Sequence, residues 1–410
     1  MFQNHQNKLS TMKRVISIII ALVTIISIDT FAQEDVKKEE KGYVFTDVIS
    51  IPHTTVRNQF RSGTCWSFSG LAFIEAELLR ETGKKYDLSE MFCVNHTYSE
   101  KAEKYVRTGG NLNFGSGAEF TDVFNVIKNY GIVPEEVYSG LEYGTELHTH
   151  GELDELLKSY VDAIIKNRNK KLTPVWHEGF DKVLDTYLGD LPETFTYEGV
   201  EYSPASFRDM LGINVDDYME FTSYTHHPFY EAFAIAIPDN WLWARWMNIP
   251  MDEMMDIIDN SLEKGYTVAW GADVSDKGFS WKNGVAVIPD MEKSDLEGTE
   301  KEKWETLTNK EKAKAAFSFD GPAKEKTITQ EMRQQAYDNY TVTDDHGMLI
   351  VGAATDQLGN KYYKIKNSWG TEGHVYNGYF YASESYVKLQ TIGIAVNKKV
   401  IPKEIMKKIK

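Results

Sequence analysis

Four short runs rich in β-branched and aromatic residues dominate the end of the chain: 347–356 (GMLIVGAATD), 361–366 (KYYKIK), 378–382 (GYFYA) and 391–396 (TIGIAV). Turn residues separate them, so they read as strands. Residues 43–135 differ, mixing short apolar runs with glycine punctuation, and read as helix-rich with loops. Further helices are expected over Leu153–Asn167 and over Met251–Leu262, where Met254, Ile257, Ile258 and Leu262 fall at helical spacing. Tyr266–Trp270 then forms a short strand. The aromatic stretch Ala234–Trp246 alternates partly like a strand, and residues 290–326, dominated by Lys, Glu and Asp, read as a solvated excursion. A chain that is helical early and β-rich late belongs to the α+β class.

With 410 residues, 42% of them hydrophobic and 26% charged, the chain has enough apolar surface for a real core, which excludes a disordered or multi-span membrane protein. The net charge of −16 argues against nucleic acid as a partner, because phosphate binding needs clustered Lys and Arg. Lys13 and Arg14 precede the apolar run Val15–Ile28, and Ala32 offers a small residue at its exit. This pattern predicts a secretory signal peptide over residues 1–32, the alternative being an uncleaved anchor helix. Cleavage leaves 42 basic against 60 acidic side chains, a net charge of −18, and a charged leader over 33–42. The expected location is periplasmic or secreted, with no stable membrane insertion after cleavage. Disulfides are permitted there, yet the chain has only two cysteines.

One of those cysteines sits in the most informative segment, Gln59-Phe60-Arg61-Ser62-Gly63-Thr64-Cys65-Trp66-Ser67-Phe68. The apolar residues after Cys65 suit a buried helix, which places the thiol at a helix N-terminus, where the partial positive charge favours thiolate. Gln59 supplies a side-chain amide that can donate to a developing oxyanion, together with the Cys65 N–H. A lone cysteine is more often a small buried hydrophobe, the reading that suits Cys93. A nucleophile needs a base and the base an orienter. His346 precedes the first strand of the late β-rich part, and Asn367 follows the second. An Asn amide oxygen can fix the tautomer and angle of an imidazole, and Trp369 is placed to shield that bond from water.

These motifs, Q-x5-C-W-S-F, D-H-G and K-N-S-W-G, resemble those of the papain-like cysteine peptidases. The resemblance implies a two-lobed fold, a helical left lobe and a β-barrel-like right lobe. It makes Cys65 the nucleophile, His346 the base, Asn367 the orienter and Gln59 the oxyanion donor. It also implies that Gly109 and Gly110 line the cleft for an extended peptide, with Trp66 and Trp369 beside it. His346 follows Cys65 by 281 residues, where the papain pattern needs roughly 130–150. Ser62 stands where many papain-type enzymes place a disulfide cysteine. Both departures resemble the bleomycin hydrolase and aminopeptidase C branch, which carries large helical insertions, here expected at about 140–250 and 290–326 of a peptidase domain over 43–405.

That branch implies an aminopeptidase acting on peptide substrates, often as a hexameric barrel with the sites inside. Its members carry a C-terminal arm that lies in the cleft, whereas here a short tail over 406–410 is expected in its place. A truncated arm would open the cleft to internal peptide segments and give an endopeptidase. A catalytically silent binding protein on the same fold is the competing reading from another class. No HExxH motif or Cys/His cluster accompanies His177, His226 and His227, so neither a metal nor another cofactor is expected. Trp241, Trp243 and Trp246 read as core or interface residues.

Overall fold

The computed structural model describes residues 42–169, 171–291 and 298–409. The expected signal peptide and residues 33–41 of the leader lie outside the described residues.

Helix α1 (Cys65–Thr82) forms from an almost unbroken apolar and small-residue run, and residues 66 to 78 are all buried. Gly83, in the left-handed region at φ 72°, ends it by donating its N–H to the Leu79 carbonyl. Helix α2 (Glu90–Arg107) starts at Ser89, whose Oγ accepts the Phe92 N–H at 3.0 Å. Helix α3 (Phe120–Tyr130) packs close to α1 because Gly70 has no side chain to hold Val123 away. Helices α4 (Gly151–Ile165) and α5 (Trp176–Leu188) bury Leu153, Leu157 and Val161, and Phe180, Leu184 and Leu188, each set at i, i+4, i+8. They join the same core as α1 and α2, as do Phe207 and Leu211 of α6 (Pro204–Leu211).

The right lobe is one sheet of eleven strands among the described residues, ordered β5-β6-β4-β13-β7-β10-β11-β12-β9-β8, with β1 on β10. Its spine is β10 (His346–Thr355), buried along nearly its whole length. The first half of β10 pairs antiparallel with β7 (Val268–Ala272), the second half with β1 (Thr46–Ser50), and β11 (Lys361–Lys366) lies on the other side. Beyond come β12 (Tyr379–Ser383), β8 (Phe279–Ser280) and β9 (Val285–Ala286), and on the far flank β13 (Thr391–Asn397). Helix α7 (Met251–Glu263) buries its apolar stripe beneath this sheet, among Met348, Ile350 and Ile365. The chain is thus α+β with a helical lobe and a sheet lobe.

The span 140–250, expected as helical, also builds strands. A hairpin joins β2 (Phe195–Tyr197) to β3 (Val200–Tyr202), while β4 (Tyr218–Thr222), β5 (Ala232–Ala234) and β6 (Arg245–Asn248) extend the main sheet. The expected strand Ala234–Trp246 is broken in its middle. Asn240 accepts the Ala244 N–H and donates to the carbonyls of Ile235 and Ala244, replacing ladder bonds with local ones. Trp241 and Trp246 are buried there, and Trp243 is exposed. The charged span 290–326 forms two short helices, α8 (Gly298–Thr306) and α9 (Asn309–Ala316), anchored by buried Trp304. Helix α10 (Gln330–Asp338) leads back to the sheet, and α11 (Glu384–Gln390) connects β12 to β13. After α12 (Lys403–Met406), Lys408 pairs with Glu253 and Ile409 packs on the right-lobe core.

Candidate active site

Cys65 is the first residue of α1, so its N–H lies beyond the reach of any intrahelical carbonyl. His346 is the first residue of β10. The two elements meet because Gly347 has no side chain: a Cβ there would stand 2.6 Å from Ser69 Oγ and 3.4 Å from Trp66 Cα. The close approach lets the Gly347 N–H donate to the Cys65 thiol.

His346 is buried and stacks on Trp369, with ring centroids 4.8 Å apart. Its Nε2 lies 2.7 Å from Asn367 Oδ1. The Ser368 N–H also donates to Oδ1, at 2.8 Å, which fixes which end of the Asn367 amide faces the ring. Nε2 is therefore the donor, and Nδ1 carries the free lone pair that a base needs.

Gln59 is buried on the opposite strand of chain. Its N–H donates to the Ser368 carbonyl at 2.8 Å, and Asn58 bridges to Trp369. Ser368 Oγ donates to Gln59 Oε1 at 2.6 Å. With the amide oxygen so occupied, Gln59 presents Nε2 as a donor. Gln59, Cys65, Trp66, His346 and Trp369 all line one cavity of about 360 Å³.

The electrostatics differ from the expectation that the helix start would favour thiolate. Burial pushes the Cys65 thiol up to about 12; the Gly347 hydrogen bond opposes this, and Asp344 and Asp239 add to it. The residue as a whole is only part-buried, but the surroundings of its thiol are dry. Burial also lowers His346 to about 4, against the pull of its bond to Asn367. The resting pair is a neutral thiol beside a neutral imidazole, because desolvating two charges outweighs half a charge of helix dipole. Such an arrangement can transfer a proton from sulfur to Nδ1 as sulfur attacks a carbonyl, with donors waiting for the oxyanion.

Gly109 and Gly110 are not in this cavity, which corrects their expected role. At φ 62° and 83° they end α2, donating to the carbonyls of Val106 and Tyr105. The cleft wall is instead Ser116-Gly117-Ala118. It is tied back by Trp66 Nε1, which donates to the Ser116 carbonyl at 3.0 Å, and by buried Lys101, which donates to the carbonyls of Gly115 and Gly117. Trp66 thus supports the wall with a ring that is itself buried. Asp239, from the inserted span, stands over Gly117, leaving no room there for a Cβ. Sequence reasoning missed Glu119, Asp239, Asp344 and Asp345 in the lining; only the last two carried a signal, by adjoining His346. Beyond Trp369 a more open depression is bordered by Asn58, Phe60, Arg61 and Glu372.

Comparison with known proteins gives matching results from sequence and structure. Residues 47–175 match the model of the papain family of cysteine proteases, and residues 324–410 that of the peptidase C1-like family. Aminopeptidase C of Listeria monocytogenes is 24% identical over 394 residues, covering 86% of this chain and 82% of the relative. Aminopeptidase G of Lactobacillus delbrueckii is 23% identical, over 86% and 83%. The mitochondrial cysteine proteinase 1 of Saccharomyces cerevisiae is 20% identical, over 90% and 80%. The crystal structure of PepW from Lactobacillus rhamnosis superposes with a TM-score of 0.65 at 20% identity, covering 89% of this chain and 84% of that one.

Proposed function

We propose that this chain is a papain-like cysteine peptidase of the aminopeptidase C and bleomycin hydrolase branch, which removes residues from peptide N-termini through a thioester on Cys65. His346 Nδ1 takes the thiol proton as sulfur bonds to the scissile carbonyl carbon. The oxyanion is held by Gln59 Nε2 and the Cys65 N–H. Collapse of the intermediate expels the amine, which takes the proton from His346. Water, deprotonated by the same ring, then hydrolyses the thioester. Asn367 keeps Nε2 as the donor throughout, so Nδ1 is always the atom that exchanges protons.

The observation that carries this reading is the Asn367 amide, fixed by the Ser368 N–H and bonded to a histidine that shares one cavity with Cys65 and Gln59. The test compares a free-amino dipeptide reporter with an N-blocked longer peptide, each with native protein and Cys65→Ala. Cys65-dependent preference for the first supports an aminopeptidase; preference for the second makes the chain an endopeptidase. Activity retained in Cys65→Ala removes the assignment altogether.

Residues 1–32 are proposed to direct export, which amino-terminal sequencing of the mature protein tests. Assembly into a homo-oligomer, proposed from the same branch, is tested by light scattering.

A further inference from the structure

A loop of the inserted span lies over the wall of the cavity that holds Cys65. Among the described residues of 140–250, Asp239 alone lines that cavity. Its carboxylate fills the space directly above Gly117: a Cβ built on that glycine would collide with Cγ, Oδ1 and Oδ2 of Asp239.

The loop is held in this position from several sides. Asn113 Nδ2, on the stretch that leads into the wall, donates to Asp239 Oδ1 at 3.0 Å. Lys104, on α2, donates its Nζ to the Leu242 carbonyl at 2.9 Å and stands 3.9 Å from the centre of the Trp243 ring. Trp241 is buried between these contacts and the core. Inside the loop, the Asn240 side chain donates to the carbonyls of Ile235 and Ala244 and accepts the Ala244 N–H. Trp243 lies in the left-handed region at φ 59°, which a bulky residue occupies only when its surroundings impose it. The tip of the loop therefore has a fixed place.

Reaction geometry decides which part of a substrate meets that tip. The tetrahedral carbon bears the Cys65 sulfur, an oxygen that faces Gln59, a nitrogen that takes its proton from His346, and the acyl chain. Three of these directions are taken by named groups. The lining that remains for the acyl chain is Ser116-Gly117-Ala118, Phe120 and Asp239. An extended acyl chain laid along this wall runs into Asp239 at Gly117.

We propose that Asp239, presented by the inserted loop, is a steric stop that limits how many residues a substrate can carry before the scissile bond. The inference rests on the aminopeptidase reading above and deepens it: the limit on length comes from the bulk and tethering of this side chain, not from its charge.

The test uses the full chain and nested free-amino peptides that share one sequence after the scissile bond and differ in having one to four residues before it. Mass spectrometry follows release of the intact amino-terminal fragment, so that stepwise trimming is not counted. In the native protein this release should fall about tenfold or more from the shortest to the longest member. Asp239→Ala should raise the long-to-short ratio by about tenfold, whereas Asp239→Asn, which keeps the bulk, should retain the native profile. Asn113→Ala, which removes the tether, should give an intermediate ratio. Stoichiometric titration of Cys65 with a thiol-trapping epoxide shows that each variant is folded, and if Asp239→Ala fails it, an unchanged profile in Asn113→Ala overturns the inference. A native-like profile in folded Asp239→Ala also overturns it, as does equal relaxation by Asp239→Asn; either result leaves the aminopeptidase reading standing. A native protein without length dependence overturns both, and absence of any Cys65-dependent cleavage overturns the peptidase reading itself.

Discussion

Ser368 Oγ donates to Gln59 Oε1 at 2.6 Å, and this bond decides which end of the Gln59 amide faces Cys65. The two residues are 309 positions apart in the chain and come from opposite lobes. The same Ser368 uses its N–H to set the Asn367 amide. One residue thereby orients both the oxyanion donor and the holder of the histidine.

Ser368→Ala frees the Gln59 amide to rotate while leaving its bulk in place. The expected outcome is a fall in kcat with KM nearly unchanged, smaller than the loss of about 10²–10³-fold typical of removing an oxyanion donor outright, as in Gln59→Ala. Steady-state kinetics on both variants check this; equal KM-dominated losses would contradict it. Stoichiometric Cys65 titration in Ser368→Ala separates this from loss of the fold.

Gly347→Ala tests the contact between β10 and α1. The new Cβ meets Ser69 Oγ and presses towards Trp66 Cα, so β10 must shift away from Cys65. A displacement of about 1 Å can cost on the order of 10²-fold in rate. The expected result is a kcat loss of that size, partly recovered by adding Ser69→Ala, which removes the obstructing hydroxyl.

The neutral resting pair predicts an unusual alkylation profile. With the thiol raised to about 12 and His346 lowered to about 4, little thiolate exists near neutral pH. Cys65 should react with iodoacetamide more slowly than a free thiol of pKa about 8.5 and should keep accelerating as pH rises through 9. A rate plateau between pH 5 and 7 would indicate a thiolate–imidazolium pair instead.

Stability should fall as pH rises from about 4.5 to 7. Asp122, Glu135, Asp154, Glu220, Glu325 and Asp344 are each raised to about 7, mainly by burial. Between their unfolded values, near 4, and 7 they hold protons in the folded state that the unfolded chain has released, so rising pH destabilises. His96, His148, His150 and His346, lowered to about 4 by burial, act in the opposite sense between about 4 and 6.5. Six groups against four leave a net fall, steepest above pH 6.5 where the histidines no longer oppose it. Thermal melts should give a higher Tm at pH 5.5 than at 7.5.

Lys101→Met removes the donor that holds the Gly115 and Gly117 carbonyls and leaves them buried without it. The expected cost is about 1–3 kcal/mol for each carbonyl left unsatisfied. Because the wall it supports lines the cavity, KM should rise more than kcat falls. Denaturation and steady-state kinetics read the two effects separately.

Much of this architecture was legible in the sequence because local pattern and tertiary role agree. The strands expected at 347–356, 361–366, 378–382 and 391–396 lie at 346–355, 361–366, 379–383 and 391–397. The helix expected after Cys65 begins at that residue. What was not legible depends on the path of the chain in space. Gly109-Gly110 and Ser116-Gly117 are both glycine-bearing turns after a helix, and the doubled glycine drew the eye to the wrong one. The first pair serves a helix terminus; the second is chosen by Trp66 and Lys101, whose reach across 50 and about 15 residues no local pattern records. Asp239 enters the cavity from a segment whose alternating aromatics suggested a strand, and the side chain of Asn240 ended that strand before it formed.

Cys65 opens the helical lobe and His346 opens the spine of the sheet. A chain made from its N-terminus exposes the thiol while the histidine that must accept its proton has yet to be synthesised, and the Gly347 contact that brings them together forms only when both lobes have docked. The chemistry thus waits for a contact between residues 282 positions apart. Hydrolytic competence is in this sense a certificate of completed folding: an assay of turnover counts only those molecules whose distant halves have found each other.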